Sequence, residues 1–230
     1  MQAIAPDMPI LFIVGVVALI GFSMYFSWLS AKRRREGIGV VAAQLGLRFN
    51  PEKQYDLAKR YGFMNALRKG SKRYAFNVIE GAHEGHQVEV FDYHYETHST
   101  DSKGRRQTHH HYFSFFVLTL PAAFPELTIA REGIFSKIAQ ALGHDDIDFE
   151  SHEFSRRFCV RSKDKKFAYD FCNAQMIEYL MTSDGFSIEV EGASLAMAFT
   201  KRLDPSALAH NLGRLIRLRS LMPDYLFEGA

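Results

Sequence analysis

The chain has 230 residues, 47% of them hydrophobic, with 20 Phe and 10 Tyr, which is enough apolar material for a packed core and excludes a disordered polypeptide. Cys159 and Cys172 are the only cysteines and form no CxxC, so a disulfide framework and a zinc ribbon are excluded, and both are expected as reduced thiols. Lys and Arg number 28 against 26 Asp and Glu, a balance too even for a nucleic-acid-binding face.

Residues 8–29 read MPILFIVGVVALIGFSMYFSWL and contain no ionisable group except a tyrosine phenol. As a helix rising about 1.5 Å per residue, this run covers the roughly 30 Å hydrocarbon layer of a bilayer. Only Asp7 precedes it, whereas Lys32, Arg33, Arg34 and Arg35 follow it. That asymmetry is the reverse of a secretory signal, and by the positive-inside rule it predicts an outside N-terminus and a cytoplasmic remainder at a bacterial inner membrane. Trp28 and Tyr25 sit near the basic end, where amphipathic rings favour the headgroup layer. Ser23, Ser27 and Ala31 make a small-residue stripe on which a second membrane helix could pack.

The expected organisation is therefore a membrane anchor with a basic collar over residues 1–35 and one cytoplasmic α+β domain over residues 36–230. Without the four collar cations and Asp7, the domain holds 24 basic against 25 acidic residues, so it is near neutral and no nucleic-acid partner is expected.

Within the domain, Val40, Val41, Gln44 and Leu45 have helical spacing up to a C-cap at Gly46, so the span is expected to continue as one helix to that point. A short strand around Leu47 to Phe49 follows, then a helix over residues 54–61 stopped by Gly62. Residues 74–80, 87–98 and 107–120 are rich in β-branched and aromatic side chains and are separated by turn formers, which predicts a meander ending in a long hairpin closed by Pro121 and Pro125.

A strand over residues 127–130 and a helix carrying Ile134, Ile138 and Leu142 come next, followed by a strand over residues 158–161. A helix capped by Asp164 and a second one over residues 176–181 are expected after it. Phe186, Ile188 and Val190 alternate, as do Leu195, Met197 and Phe199, and Gly192 between them suggests another hairpin. Asp204-Pro205 opens a last, amphipathic helix with Leu208, Leu212, Leu215 and Ile216 on one side and His210, Arg214 and Arg217 on another. Together these elements predict an antiparallel sheet, built as a meander and hairpins, packed by several helices.

Residues 88–95 (VEVFDYHY), 147–150 (IDFE), 154–158 (FSRRF), 167–169 (FAY) and 176–180 (MIEYL) resemble those of a group of uncharacterised bacterial single-pass membrane-anchored proteins with no assigned activity. The resemblance covers most of the cytoplasmic domain. It rests on packing patterns, so it implies the architecture and no chemistry.

Seven of the ten histidines lie between His83 and His111. On a strand, Asp92, His94, Glu96 and His98 share a face. A turn centred on Ser102 and Lys103 pairs Glu96 with His109 and His94 with His111, which would gather His94, Glu96, His98, His109 and His111 as ligands for Zn²⁺ or another divalent metal. A slip of one residue would send His109 and His111 to the other face. No other cofactor is expected, and the His83-Glu-Gly-His86 run has the wrong spacing and setting for a zincin helix. No phosphate-binding loop, dinucleotide fingerprint or nucleophile elbow is present.

Arg105 and Arg106 make the hairpin tip basic, and Tyr93, Tyr95 and Tyr112 along its length suggest an interface. Three functions follow. The favoured one is a non-enzymatic membrane-tethered interaction module, an accessory or scaffold subunit of a larger inner-membrane assembly whose partner is another membrane protein or a second copy. A metal sensor or metal-dependent enzyme, and a domain binding anionic lipid through the collar, hairpin and last helix, are the alternatives.

Overall fold

A computed structural model describes residues 8–62, 64–131, 146–183 and 185–228. The apolar run forms the first part of one unbroken helix, α1 (Met8–Gln44). From Phe12 to Trp28 its large apolar side chains are exposed, and such a helix cannot stand bare in water. Seven residues into the polar stretch the same helix becomes part of the core, where Ile38 and Ala42 are fully buried and Val41 and Leu45 pack beside them. The helix stops as the sequence predicts. Gly46 takes φ +70°, and Leu47 N and Gly46 N donate back to the carbonyls of Ala42 and Ala43.

The sheet is antiparallel throughout and ordered β1 (Arg48–Asn50), β2 (Ser71–His83), β3 (His86–Thr100), β4 (Arg106–Arg131), β5 (Phe158–Ser162). A sixth strand, β6 (Ser187–Phe199), pairs with β4 from Ser114 to Ile129. Since Leu127 of β4 faces both Ser162 of β5 and Val190 of β6, β5 takes the edge of β4 that β3 occupies further back.

β2 and β3 are joined by the two residues Glu84 and Gly85, both at positive φ, as a tight twisted hairpin requires. His83 and His86 therefore flank a turn and share no helical face.

Two expectations are corrected here. The prolines 121 and 125 do not end the third meander strand; β4 runs through both for 26 residues. The Ser187–Phe199 segment is one strand and not a hairpin. The two departures have one cause. Proline has no N–H for a ladder, and the pairing of β4 with β6 is shifted on both sides of Phe124, which faces Gly192 at φ +56°. The ladder is irregular at that point, and both strands run on through it instead of reversing.

Helices cover both faces of the sheet. On one face α2 (Tyr55–Arg60) and α3 (Asn65–Arg68) close a small core with Leu57, Tyr61, Met64 and Leu67 against Phe91, Tyr93 and Phe115. The other face carries the larger core. There the C-terminal part of α1 packs with α4 (His152–Arg157), α5 (Lys165–Phe171), α6 (Ala174–Thr182) and α7 (Leu208–Ser220). Asp164 caps α5 by accepting from Phe167 N, as its sequence position predicts, and Asn173 caps α6 in the same way. The last helix begins with a 3-10 turn, Pro205–Ala207, before the α-helical part buries Leu208, Leu212, Leu215 and Leu218. The expected helix around Ile134, Ile138 and Leu142 lies outside the described residues.

Candidate functional site

Strand β3 is buried on both sides over most of its length, so its alternation divides two chemistries. Phe91, Tyr93 and Tyr95 point into the small core; Tyr93 is 0% and Tyr95 4% exposed, so neither is available as a surface interface. Tyr93 donates its hydroxyl to the Leu67 carbonyl at 2.6 Å, and burial pushes its phenol well above the usual range. Tyr112, by contrast, is half-buried on the opposite face, and Arg105 and Arg106 are exposed at the tip.

Asp92, His94 and Glu96 line the face toward α1. Asp92 is wholly buried and accepts from Arg34 Nη1 at 2.8 Å, Asn77 Nδ2 at 2.8 Å and Leu203 N at 2.7 Å. Arg34 also donates to the Leu203 carbonyl at 3.1 Å. One collar cation is therefore built into the domain. Arg33 and Arg35 are exposed, and Lys32 lies over the Trp28 ring at 5.5 Å.

The hairpin register differs by one residue from that expected. Glu96 faces His110, and His94 faces Tyr112, because the loop over residues 101–105 is centred on Lys103. Asp101 shapes that loop: its carboxylate accepts from the Lys103 and Arg105 amides, each at 2.9 Å, and Gly104 supplies φ +78°.

The predicted five-ligand set is thus divided. His109 and His111 turn to the far face, where they bond to Ser99 and Thr97 across the ladder at 2.8 Å each. His98 keeps the right face but bonds Thr108 near the tip at 3.1 Å. His110, absent from that set, joins His94 and Glu96. His94 Nε2 is 3.1 Å from His110 Nδ1, His110 Nδ1 is 3.7 Å from Glu96 Oε1, and the three ligand atoms fall within 4.8 Å of one another.

Burial holds the His94 imidazole below its ordinary range, keeping it in the neutral form that ligates metals, and the Lys72 ammonium, 3.0 Å from Glu96, lowers the Glu96 carboxyl. The Tyr74 and Tyr112 rings sandwich His94 at 4.6 and 4.9 Å between centroids.

On the other side of the hairpin root a groove of about 830 Å³ opens between Lys69, Tyr95, His111 and Lys201. Beyond Glu96 no third strand pairs with the hairpin among the described residues, and residues 98–110 are exposed apart from half-buried Asp101. Four residue pairs, from Thr97 with His109 to Thr100 with Arg106, carry it roughly 13 Å past the sheet at about 3.4 Å per residue.

Both free thiols are unreactive in character. Cys172 is buried among apolar groups, and Cys159 is pushed up to about 12 by burial and by the Asp146 carboxylate that accepts its S–H.

No family model matches the chain, and no curated protein does. Among solved structures it is similar to the crystal structure of the mycobacterial trehalose monomycolate transport factor A, TtfA, with a TM-score of 0.59 and 16% identity. The match covers 83% of this chain and 95% of that one, and at such identity it is a likeness of fold.

Proposed function

We propose that the protein is a non-enzymatic, membrane-tethered interaction module, an accessory or scaffold subunit of a larger bacterial inner-membrane assembly. In this reading residues 1–35 anchor it with the N-terminus outside, and residues 36–230 form a cytoplasmic domain. The observation that carries the reading is the absence of any hinge between anchor and sheet: α1 passes from exposed apolar residues into the core without a break, and Arg34 ties it to β3. A tether for a free-acting enzyme gains nothing from a fixed angle. A docking element does, because a hairpin held at one height and orientation above the bilayer loses less freedom on binding. A fold shared with a protein named as a transport factor is compatible with this role.

The partner is expected to touch the basic tip around Arg105 and Arg106. A photo-crosslinking residue at Ser102, in the full chain in its native membrane, should give a discrete adduct with another membrane protein or a second copy, whereas one at Lys165 on α5 should not. A chain that gives no adduct from the tip and migrates alone after gentle solubilisation refutes the proposal.

A second reading is favoured by the His94, Glu96 and His110 cluster. Ligands of a tetrahedral Zn²⁺ lie about 3.3 Å apart given metal–ligand distances of about 2.0–2.1 Å, and the observed 3.1 and 3.7 Å separations are close to that. A divalent metal there would staple the hairpin root. Metal analysis of the full chain beside a His94→Ala, His110→Ala variant tests it; metal bound at one per chain only before substitution supports it, and no stoichiometric metal in either excludes it.

A further inference from the structure

A cleft of about 430 Å³ opens where α1 leaves its apolar run, between that helix and the sheet. Ala31, Arg34 and Arg35 form its α1 wall, and Lys53, Tyr74, Asn77, Tyr112 and Arg202 face them. At about 1.5 Å per residue, Ala31 to Arg35 lie roughly 3–9 Å beyond Leu29, the last apolar residue. The headgroup layer of a bilayer is about 5–7 Å deep on each side. With α1 across a membrane, the cleft opens at the level of the phosphates.

Its charge is not used internally. Arg34 is neutralised by Asp92, but Arg35, Lys53 and Arg202 make no ion pair among the described residues, and a single exposed carboxylate, Glu52, lies on the lining. Two of these cations are held by rings instead. Arg202 stacks on Tyr112 at 3.7 Å, and Lys53 sits over Tyr74 at 4.3 Å. A ring fixes a cation from one side without cancelling its charge; Lys53 also bonds to the Tyr74 side chain, and the remaining N–H donors are left for an incoming anion.

Asn77 adds an independent sign of a ligand. It is 2% exposed and held at φ +51°, an unusual conformation for a side-chain-bearing residue. Asp92 offers only acceptors, so the Asn77 amide must turn its NH₂ toward it. The carbonyl Oδ1 is thereby turned away from Asp92 and is buried with no partner among the described residues, on a side chain that lines the cleft. A buried acceptor in that position calls for a donor such as a hydroxyl.

We propose that this cleft binds the headgroup of an anionic phospholipid that joins a phosphodiester to a free hydroxyl, as phosphatidylglycerol does. The phosphate sits against Arg35, Lys53 and Arg202, and the hydroxyl donates to Asn77 Oδ1. The inference rests on α1 crossing a bilayer and not on docking by the hairpin. It also differs from a diffuse attraction of collar, tip and last helix to a charged surface, since it names one pocket with one stoichiometric lipid. A soluble phosphoester would present the same chemistry, so the test separates the two sources.

The full chain in an uncharged detergent is titrated with phosphatidylglycerol, phosphatidylcholine or phosphatidylmethanol, and retained lipid is counted by native mass spectrometry. One phosphatidylglycerol per chain is expected, held at least tenfold better than phosphatidylcholine and severalfold better than phosphatidylmethanol, which lacks the hydroxyl. Lys53→Gln with Arg202→Gln, both exposed and neutral to the core, should abolish the preference, while Arg105→Gln with Arg106→Gln should leave it.

Equal retention of phosphatidylglycerol and phosphatidylcholine overturns the site, as does a preference that survives the Lys53 and Arg202 changes or disappears with the tip changes. Equal retention of phosphatidylmethanol overturns the role of Asn77. Displacement by millimolar glycerol 3-phosphate reassigns the cleft to a soluble ligand and overturns the lipid. Extraction of the chain from membranes by alkaline carbonate would remove the bilayer premise itself.

Discussion

Arg34 Nη1 stands 2.8 Å from the buried Oδ2 of Asp92, across 58 residues of sequence. Of four adjacent cations that look equivalent in a collar, this one is directed inward, toward a carboxylate that has no exposed surface. Replacing it should be costly. Arg34→Ala leaves a buried carboxylate with two neutral donors, and a loss of roughly 3 kcal/mol is expected, toward the low end for breaking a buried pair because the guanidinium is partly wet. Arg33→Ala, exposed one position earlier, should change stability by less than about 0.5 kcal/mol. Unfolding of the full chain in detergent, followed by near-UV absorbance or circular dichroism, distinguishes them; equal effects would mean that Arg34 is merely a surface charge.

The pairing of β3 with β4 can be trapped chemically. Glu96 and His110 are directly opposed, so cysteines at these two positions should form a disulfide under mild oxidation. Cysteines at positions 96 and 109 should not, because their side chains leave the sheet on opposite faces. Cross-linking of the second pair in preference to the first would restore the register that places His109 and His111 with His94.

That half-step shows where sequence reading stops. Hydrophobic alternation and the polar run around Ser102 locate the hairpin, but β3 and β4 are buried on both faces near its root, so alternation does not tell a loop centred on Ser102 and Lys103 from one centred on Lys103. The choice is made by Asp101, whose carboxylate gathers two loop amides. Local signals with local causes, such as Gly46, Asp164 and the leucines of the last helix, are legible. Pro121, Pro125 and Gly192 are misleading because each is a stop in isolation and part of one irregular stretch of ladder once the strands pair. Nothing near Lys53, Asn77, Asp92 or Arg202 indicates that they meet, since the contacts joining Arg34 to Asp92 and Leu203 span 58 and 169 residues.

Two glycines at positive φ should respond differently to a methyl group. At Gly192 (φ +56°) an added Cβ meets open space, so Gly192→Ala should cost only the left-handed backbone penalty of about 1–2 kcal/mol. At Gly70 (φ +67°) it would collide with the Glu96 carbonyl oxygen and the Tyr95 ring, both fixed in the sheet. Gly70→Ala should therefore be the more damaging by at least about 1–3 kcal/mol, the range for overpacking. Denaturant midpoints of the two variants rank them; an equal pair would show that the chain between α3 and β2 can move aside.

The hairpin tip carries its own pH dependence. Two backbone amides and the Arg105 guanidinium converge on Asp101, the Arg105 amide first in effect, and they hold its carboxyl below the usual carboxylate range. A carboxyl whose pKa is lower folded than unfolded stabilises fully above the unfolded value, about 3.9 for Asp, and loses that contribution as pH falls through the folded value. Corrected for intrinsic rates, amide exchange at Lys103 and Arg105 should be slow and flat from about pH 5 to 8 and should accelerate in acid below the ordinary Asp range. Asp101→Asn keeps an acceptor for the amides and gives up the charge, so it should exchange severalfold faster at neutral pH with no further acceleration in acid. Because the proposed docking function needs a tip that is ordered before it meets a partner, the same variant should weaken cross-linking from Ser102 while leaving lipid retention at the α1 cleft untouched. If crosslinking is unaffected, tip order is irrelevant to docking.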